Sequence, residues 1–187
     1  MPITYRPATS EDIDGVARVF LSCWRGSYAA VLPRRLVDMM TDEEATALWT
    51  RVLDEAGPGE VVVAVAEPET ESEAAGGARP VILGVTRFAV AGDGTGMVNS
   101  LYVSPLAQGQ GVGSRLLTTA ADALAAAGAT TAHLWVFESN APSIAFYRRQ
   151  GWLPDGGARV QEAFGEPEIR LVRALAPSAA PAEAGHS

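Results

Sequence analysis

The stretch from Met97 to Phe137 constrains this chain more than any other. Met97 to Val103 is rich in β-formers, Gly109-Gln110-Gly111-Val112-Gly113 is a glycine-rich turn, and Val112 to Ala127 has a helical repeat that Gly128 ends. Thr131 to Phe137 is β-rich again. Leu116, Leu117, Ala120, Ala121 and Leu124 share one side of the helix. A strand, a helix and a strand in such close order predict a parallel pair with a right-handed crossover. The turn between them has chemistry of its own. Three glycines in five residues remove Cβ atoms that would keep an anion away from the backbone. The helix adds unpaired first-turn N–H groups and the positive end of its dipole, so the stretch is built to bind phosphate.

The rest of the chain has to build a sheet around that unit. Ile3 to Arg6 reads as an opening strand, and Thr9 or Ser10 caps a helix whose apolar stripe is Ile13, Val16, Ala17, Phe20, Cys23 and Trp24. Leu32-Pro33 opens a short helix, and the capping box from Thr41 to Glu44 starts another that runs through Trp49 to Leu53. Val61 to Ala66 and Val81 to Val90 predict a hairpin, joined by an acidic, Ala- and Gly-rich loop over residues 67–80 that is expected to be mobile. Beyond Phe137, Ser139-Asn140-Ala141-Pro142 starts a short helix carrying Ile144, Phe146 and Tyr147. Ala158 to Ala163 and Glu168 to Leu175 read as a last strand pair, and residues 176–187 as a disordered tail. The expectation is one α/β domain over residues 3–175, a mixed sheet flanked by helices; 187 residues suffice for one core and are short for two.

Composition narrows the partners. Lys and Arg number 14 against 22 Asp and Glu, a net charge of −8, which argues against nucleic acid because neutralising phosphates needs a basic face. An acidic surface suits a cationic amine. Apolar runs fall short of the roughly 18 residues of a membrane span, and the N-terminus lacks a basic segment followed by an apolar one. A cytoplasmic protein without membrane association is expected. Cys23 is the single cysteine and the two histidines lie far apart, so neither an internal disulfide nor a metal site is expected.

Three kinds of phosphate ligand fit a glycine turn. A nucleotide-hydrolysing P-loop needs a Lys before a Ser or Thr, and Gly113 is followed by Ser114-Arg115. A dinucleotide fingerprint needs Gly-x-Gly-x-x-Gly, and fewer than about 50 residues follow Glu138, too few to complete a doubly wound sheet. The third kind explains more of the chain. Gln108-Gly109-Gln110-Gly111-Val112-Gly113 resembles the acyl-CoA turn of the GNAT N-acetyltransferase superfamily, Leu101 to Pro105 resembles the strand before it, and Asn140 to Trp152 resembles the family's late Asn…Ala…Phe-Tyr…Gly-Phe segment. Arg6-Pro7-Ala8-Thr9, Asp12 and the block from Trp24 to Tyr28 are similar to the opening of many small bacterial members. The likeness runs from about Ile3 to Leu175.

This resemblance implies a GNAT-like acyl-CoA N-acyltransferase fold: a central, mostly antiparallel sheet with one parallel pair and flanking helices. It implies acetyl-CoA as co-substrate, its pyrophosphate on the N–H groups of Gln108, Gly109, Gln110, Gly111, Val112, Gly113 and Ser114, with Arg115 adding a charge-assisted contact. It implies that the pantetheine arm pairs with the backbone of Leu101, Tyr102 and Val103 where the sheet splays, and that Asn140 and Ser143 bond the cofactor. Tyr147 matches the general acid that protonates the departing thiolate; a thiol near roughly 8.5 and a phenol near roughly 10 are closely matched. Trp24 and Tyr28 match the region shaping the acceptor pocket, with the core as the alternative for Trp24. Dimers are frequent in the family, which leaves a homodimer open.

One departure stands out. Many relatives carry a Glu on the strand before the turn, and Met97 to Val103 holds neither carboxylate nor His. Asn99 or Ser100 is left to hold a relaying water, Glu138 is a candidate base, and His133 reads as structural. The expected function is acetyl transfer from acetyl-CoA straight to a primary amine of a small molecule or peptide. The missing carboxylate motivates the alternative, a non-catalytic acyl-CoA-binding or regulatory module.

Overall fold

The computed structural model describes residues 2–30, 32–67 and 80–176. Seven strands form one sheet: β1 (Ile3–Pro7), β2 (Val61–Ala66), β3 (Val81–Val90), β4 (Gly96–Val103), β5 (Thr131–Phe137), β6 (Leu153–Gln161) and β7 (Glu166–Ala174). Their order is β1-β2-β3-β4-β5-β7-β6, antiparallel throughout except for the parallel pair β4 and β5. Among the described residues five α-helices accompany them: α1 (Ile13–Arg25), α2 (Arg34–Met39), α3 (Asp42–Glu55), α4 (Val112–Ala126) and α5 (Ala141–Arg149). The mostly antiparallel sheet with one parallel pair and flanking helices is the one expected. The loop expected at 67–80 and the tail at 176–187 lie, but for their end residues, outside the described residues.

Helices cover both faces of the sheet. Val62 and Ala64 of β2 pack beneath Leu116, Leu117 and Leu124 of α4, while Val61, Val63 and Val65 meet Phe20 of α1 and Trp49 of α3. All six residues of β2 are therefore buried, which is why that strand is an unbroken apolar run rather than an alternating one. Gly84 of β3 lets α4 approach closely; a Cβ there would stand 2.9 Å from Leu116 Cδ1 and 3.0 Å from the Tyr102 carbonyl oxygen. At the N-terminus, Arg6 on β1 makes two hydrogen bonds, of 2.7 and 2.8 Å, to the buried Asp12 carboxylate. Asp12 also accepts from the Thr9 N–H and hydroxyl, so the pair fixes where α1 leaves the sheet.

The last hairpin corrects the sequence expectation of strands over Ala158 to Ala163 and Glu168 to Leu175: β6 begins at Leu153, passes through Pro154-Asp155-Gly156-Gly157 and ends at Gln161, and β7 runs from Glu166 to Ala174. The register shifts between Pro154 and Ala158, a bulge, and β6 is an edge strand. Proline and glycine are tolerated there because the outer side has no ladder to complete.

Candidate functional site

Two features meet at the end of β4. The first is the glycine turn. Gly109 and Gly111 hold φ of +78° and +80°, and Gly111 is the N-cap of α4. Gly113 is needed for another reason: a Cβ there would lie 3.3 Å from Val103 Cγ2 and 3.4 Å from Phe146 Cζ, so its small size lets α4 start against β4 and α5. Among the described residues no hydrogen-bond acceptor takes the N–H groups of Gly109, Gly111, Val112, Gly113 or Ser114; the first helical bond of α4 runs from Arg115 to Gly111. Gln108 to Gly111 are exposed, and so is Arg115. An exposed cradle of free N–H groups at a helix N-terminus is what a pyrophosphate needs.

The second feature is a gap in the sheet. β4 and β5 pair only through Gly96 with Ala132 and Met97 with His133, and then part. A bulge contributes: Arg87 faces Ser100 and Phe88 faces Val98, which leaves Asn99 as the extra residue of β4. From Val98 to Val103 the β5-facing edge of β4 has no strand partner, so an extended ligand arm can pair there as an added strand. Leu101 and Val103 face the α4 side, whereas Tyr102 faces the α1 side, its ring 5.0 Å from Phe20. The buried Cys23 donates from Sγ to the Val103 carbonyl at 3.2 Å, and burial pushes its thiol pKa up, which suits a core residue better than a nucleophile.

Tyr147 lies on α5, packed on the α4 side of the sheet and 5.3 Å from Phe146 ring to ring. Burial, then the nearby Tyr28, push its phenol well above the ordinary value. Tyr28 itself is raised to about 12, first by burial, and Tyr102 is raised by burial and by Tyr28 and Tyr147. Three phenols from three elements are therefore within electrostatic reach of one another and protonated at neutral pH. Each is protonated at rest and none is a ready base. For Tyr147 this corrects the expectation from ordinary values: burial widens the gap between its phenol and a thiol, so the close match does not hold in the resting protein.

Asn140 is buried and its side-chain carbonyl accepts from the Ser143 N–H at 3.2 Å, capping α5. Only its amide NH2 is left for a ligand. Ser143 is half-buried, and the Ser114 hydroxyl accepts from Gln150 at 3.1 Å, tying the first turn of α4 to the end of α5. Trp24 is buried, the core position named as its alternative, and stacks on the half-buried Tyr28 at 5.4 Å. A cavity of about 810 Å³ adjoins this block, between Arg25, Ala29, Val37, Met40 and Asp42. Glu138 is exposed at the end of β5, and His133 is half-buried with a pKa lowered by burial. Among the described residues no three His, Cys, Asp or Glu side chains gather to hold a metal, and no helix is long and apolar enough to cross a membrane.

Known proteins share this architecture. The chain is similar to the uncharacterized N-acetyltransferase YuaI of Bacillus subtilis (strain 168), 28% identical over 92% of this chain and 98% of that one. Its fold is similar to that of the PaiA N-acetyltransferase from Thermoplasma acidophilum in complex with coenzyme A, with a TM-score of 0.67, 16% identity, and 94% and 100% of the two chains covered. It is also similar to yncA of Salmonella typhimurium with its cofactor acetyl-CoA, with a TM-score of 0.65, 21% identity, and 98% and 99% covered. The model of the acetyltransferase (GNAT) family matches residues 36–152, from α2 to the end of the Asn140–Trp152 segment. The chain belongs to the GNAT acetyltransferase family.

A GNAT acetyltransferase is an enzyme whose co-substrate is acetyl-CoA, and the free N–H cradle and the unpaired β4 edge are features of this chain that fit that group. Membership favours an enzyme over a binding module. The block of Trp24 and Tyr28 also packs with residues that no motif marked. Phe137, Phe164 and Glu168 join Trp24 and Tyr28 beside the opening, Phe137 at 5.8 Å from Tyr28 and Phe164 at 5.2 Å from Trp24. They come from β5, the β6–β7 turn and β7, and only the sheet order brings those segments together.

Proposed function

We propose that this chain transfers an acetyl group from acetyl-CoA directly to a primary amine of a small molecule or peptide. The observation that carries the reading is the pair of unsatisfied backbone surfaces at the end of β4, the N–H groups of Gly109 and of Gly111 to Ser114 and the β4 edge beyond Met97. In this reading the turn and Arg115 hold the pyrophosphate, Leu101 to Val103 pair with the pantetheine arm, and Asn140 and Ser143 bond the cofactor. Bound acetyl-CoA supplies a thioester carbonyl activated toward an amine. Tyr147 gives its phenolic proton to sulfur as the C–S bond breaks and regains one from the nitrogen that has formed the amide, so no proton is gained or lost by the protein. Tyr28 and Trp24 border the acceptor. The attacking nitrogen must be neutral, and on the stretch from Val98 to Val103, which holds neither carboxylate nor His, Asn99 or Ser100 holds a relaying water.

A CoA-release screen over polyamines, aminoglycosides, amino acids and peptide N-termini, with intact-protein mass spectrometry during turnover, tests the proposal. Release with at least one amine and no acetylated enzyme is expected. Binding of acetyl-CoA without release for any amine, or an acetyl-enzyme that forms and decays at the turnover rate, would overturn it.

A further inference from the structure

Four polar side chains are buried among the described residues, and three have evident structural work: Asp12 pairs with Arg6, Thr86 bonds the Ser100 carbonyl, and Asn140 caps α5. Glu168 is the fourth. It lies in the interior of β7, directly opposite Phe137 of β5, so the two side chains share a face. The ring of Phe137 meets Tyr28 at 5.8 Å and Phe164 at 6.2 Å, and Trp24 closes the group by packing on both. A carboxylate thus stands beside a cluster of aromatic rings on the α1 side of the sheet. Its charge reaches Tyr28 and Tyr102, where it opposes ionisation of both phenols.

One oxygen of Glu168 is engaged. Oε2 accepts from Arg159 Nε at 2.7 Å, while Oε1 accepts no hydrogen bond among the described residues. The two charges are unequally screened: the Arg159 side chain is 48% exposed and lies over Trp135 at 4.2 Å, whereas that of Glu168 is 10% exposed. Arg170, two residues along β7, is paired with Asp155 at 2.7 Å. The aromatic cluster therefore feels the carboxylate more than its better-solvated counter-ion.

We propose that Glu168 Oε1, with the rings of Tyr28 and Phe137, binds a second cationic group of the acceptor, so that the acceptor is an amine of the diamine type. The inference rests on the amine-transfer reading above and names the class within it. A carboxylate favours the protonated form of a nitrogen beside it, and the attacking nitrogen must be neutral. The charge suited to Glu168 is consequently one that persists through the reaction. Aromatic faces stabilise such a cation, and the net charge of −8 favours its approach.

The test compares straight-chain diamines with monoamines of equal length on wild type, Glu168→Gln and Arg159→Met. Glu168→Gln should raise the diamine KM about tenfold or more and the monoamine KM less than about twofold, the cost of one charged hydrogen bond. The KM for acetyl-CoA should not move. Arg159→Met keeps an apolar contact on Trp135 and frees Oε2, so the diamine KM should fall. If both variants raise KM for both amine types alike, Glu168 only anchors the β6–β7 hairpin and the proposal fails. Calorimetric binding of the same amines to the CoA-saturated protein separates this from the transfer reading. A diamine that binds wild type but not Glu168→Gln upholds the cation site at Glu168 even where no CoA is released, a result that counts against transfer alone; equal binding to both, or to neither, overturns it.

Discussion

Gly111 offers a quantitative handle on the phosphate cradle. A Cβ at this position meets nothing within 4 Å, so Gly111→Ala introduces backbone strain alone, from φ of +80°. Left-handed geometry costs an L-residue about 1–2 kcal/mol. If the free turn keeps its shape, that cost lowers Tm by roughly 2–8 °C. If the free turn relaxes, the cost reappears on binding, and the Kd for acetyl-CoA rises up to about tenfold or somewhat more. Gly111→Asn should be milder, because Asn adopts this region more readily. Gly111→Glu adds a like charge: at about 6 Å from a phosphate and an effective dielectric of about 40, the repulsion is about 1.4 kcal/mol per charge, a further factor of about ten. Isothermal titration with acetyl-CoA should therefore rank the proteins wild type, Asn, Ala, Glu in order of increasing Kd. A Gly111→Glu Kd within twofold of wild type, on a protein with an unchanged melting profile, would refute the placement of the pyrophosphate on this turn.

Other consequences concern the scaffold. Gly84→Ala should cost about 1–3 kcal/mol of stability in chemical denaturation, because the new Cβ would press on Leu116 and the Tyr102 carbonyl. Asp12→Asn should cost about 2 kcal/mol at pH 7, the scale of a charge-assisted pair discounted for the part-exposed Arg6. Hydrogen bonding from Arg6 holds the Asp12 carboxyl below its ordinary value, with Thr9 assisting. Its stabilising share is therefore complete above the unfolded value near 3.8 and is lost as pH falls through the lower folded value. The gap between wild type and Asp12→Asn should accordingly close as the pH is lowered below about 4, read from melting curves at several pH values.

Much of this fold was legible because local pattern and tertiary environment agree. The bounds of β2, β3 and β5 coincide with the β-rich runs Val61 to Ala66, Val81 to Val90 and Thr131 to Phe137, and the Thr41 to Glu44 capping box does begin α3. The β4-turn-α4-β5 unit was legible for the same reason. The β6 strand was not, since Pro154 and two glycines signal a turn locally, and only its edge position, a property of the finished sheet, makes them acceptable. The turn glycines were read together, without dividing the two reasons among them, whereas Gly109 and Gly111 supply left-handed backbone and Gly113 supplies closeness. In the candidate site, the cradle and Tyr147 could be proposed from sequence because each lies within one contiguous motif. Phe137, Phe164 and Glu168 could not: an aromatic cluster assembled from segments far apart in sequence has no spacing to detect. Trp24 sits on the boundary between the two cases, since its helical stripe buries it and it stacks on Tyr28.

The central claim is that acetyl-CoA bound along β4 presents its thioester to Tyr147, whose phenol gives sulfur its proton. Tyr147→Phe removes that proton and leaves the ring packed beside Phe146. Steady-state turnover with a responsive amine, together with calorimetric acetyl-CoA binding, reads the claim directly: kcat should fall by about a hundredfold or more while Kd stays within twofold of wild type, as for a lost general acid. A Tyr147→Phe enzyme that turns over at the wild-type rate, or that loses acetyl-CoA affinity in proportion to its rate, would contradict it.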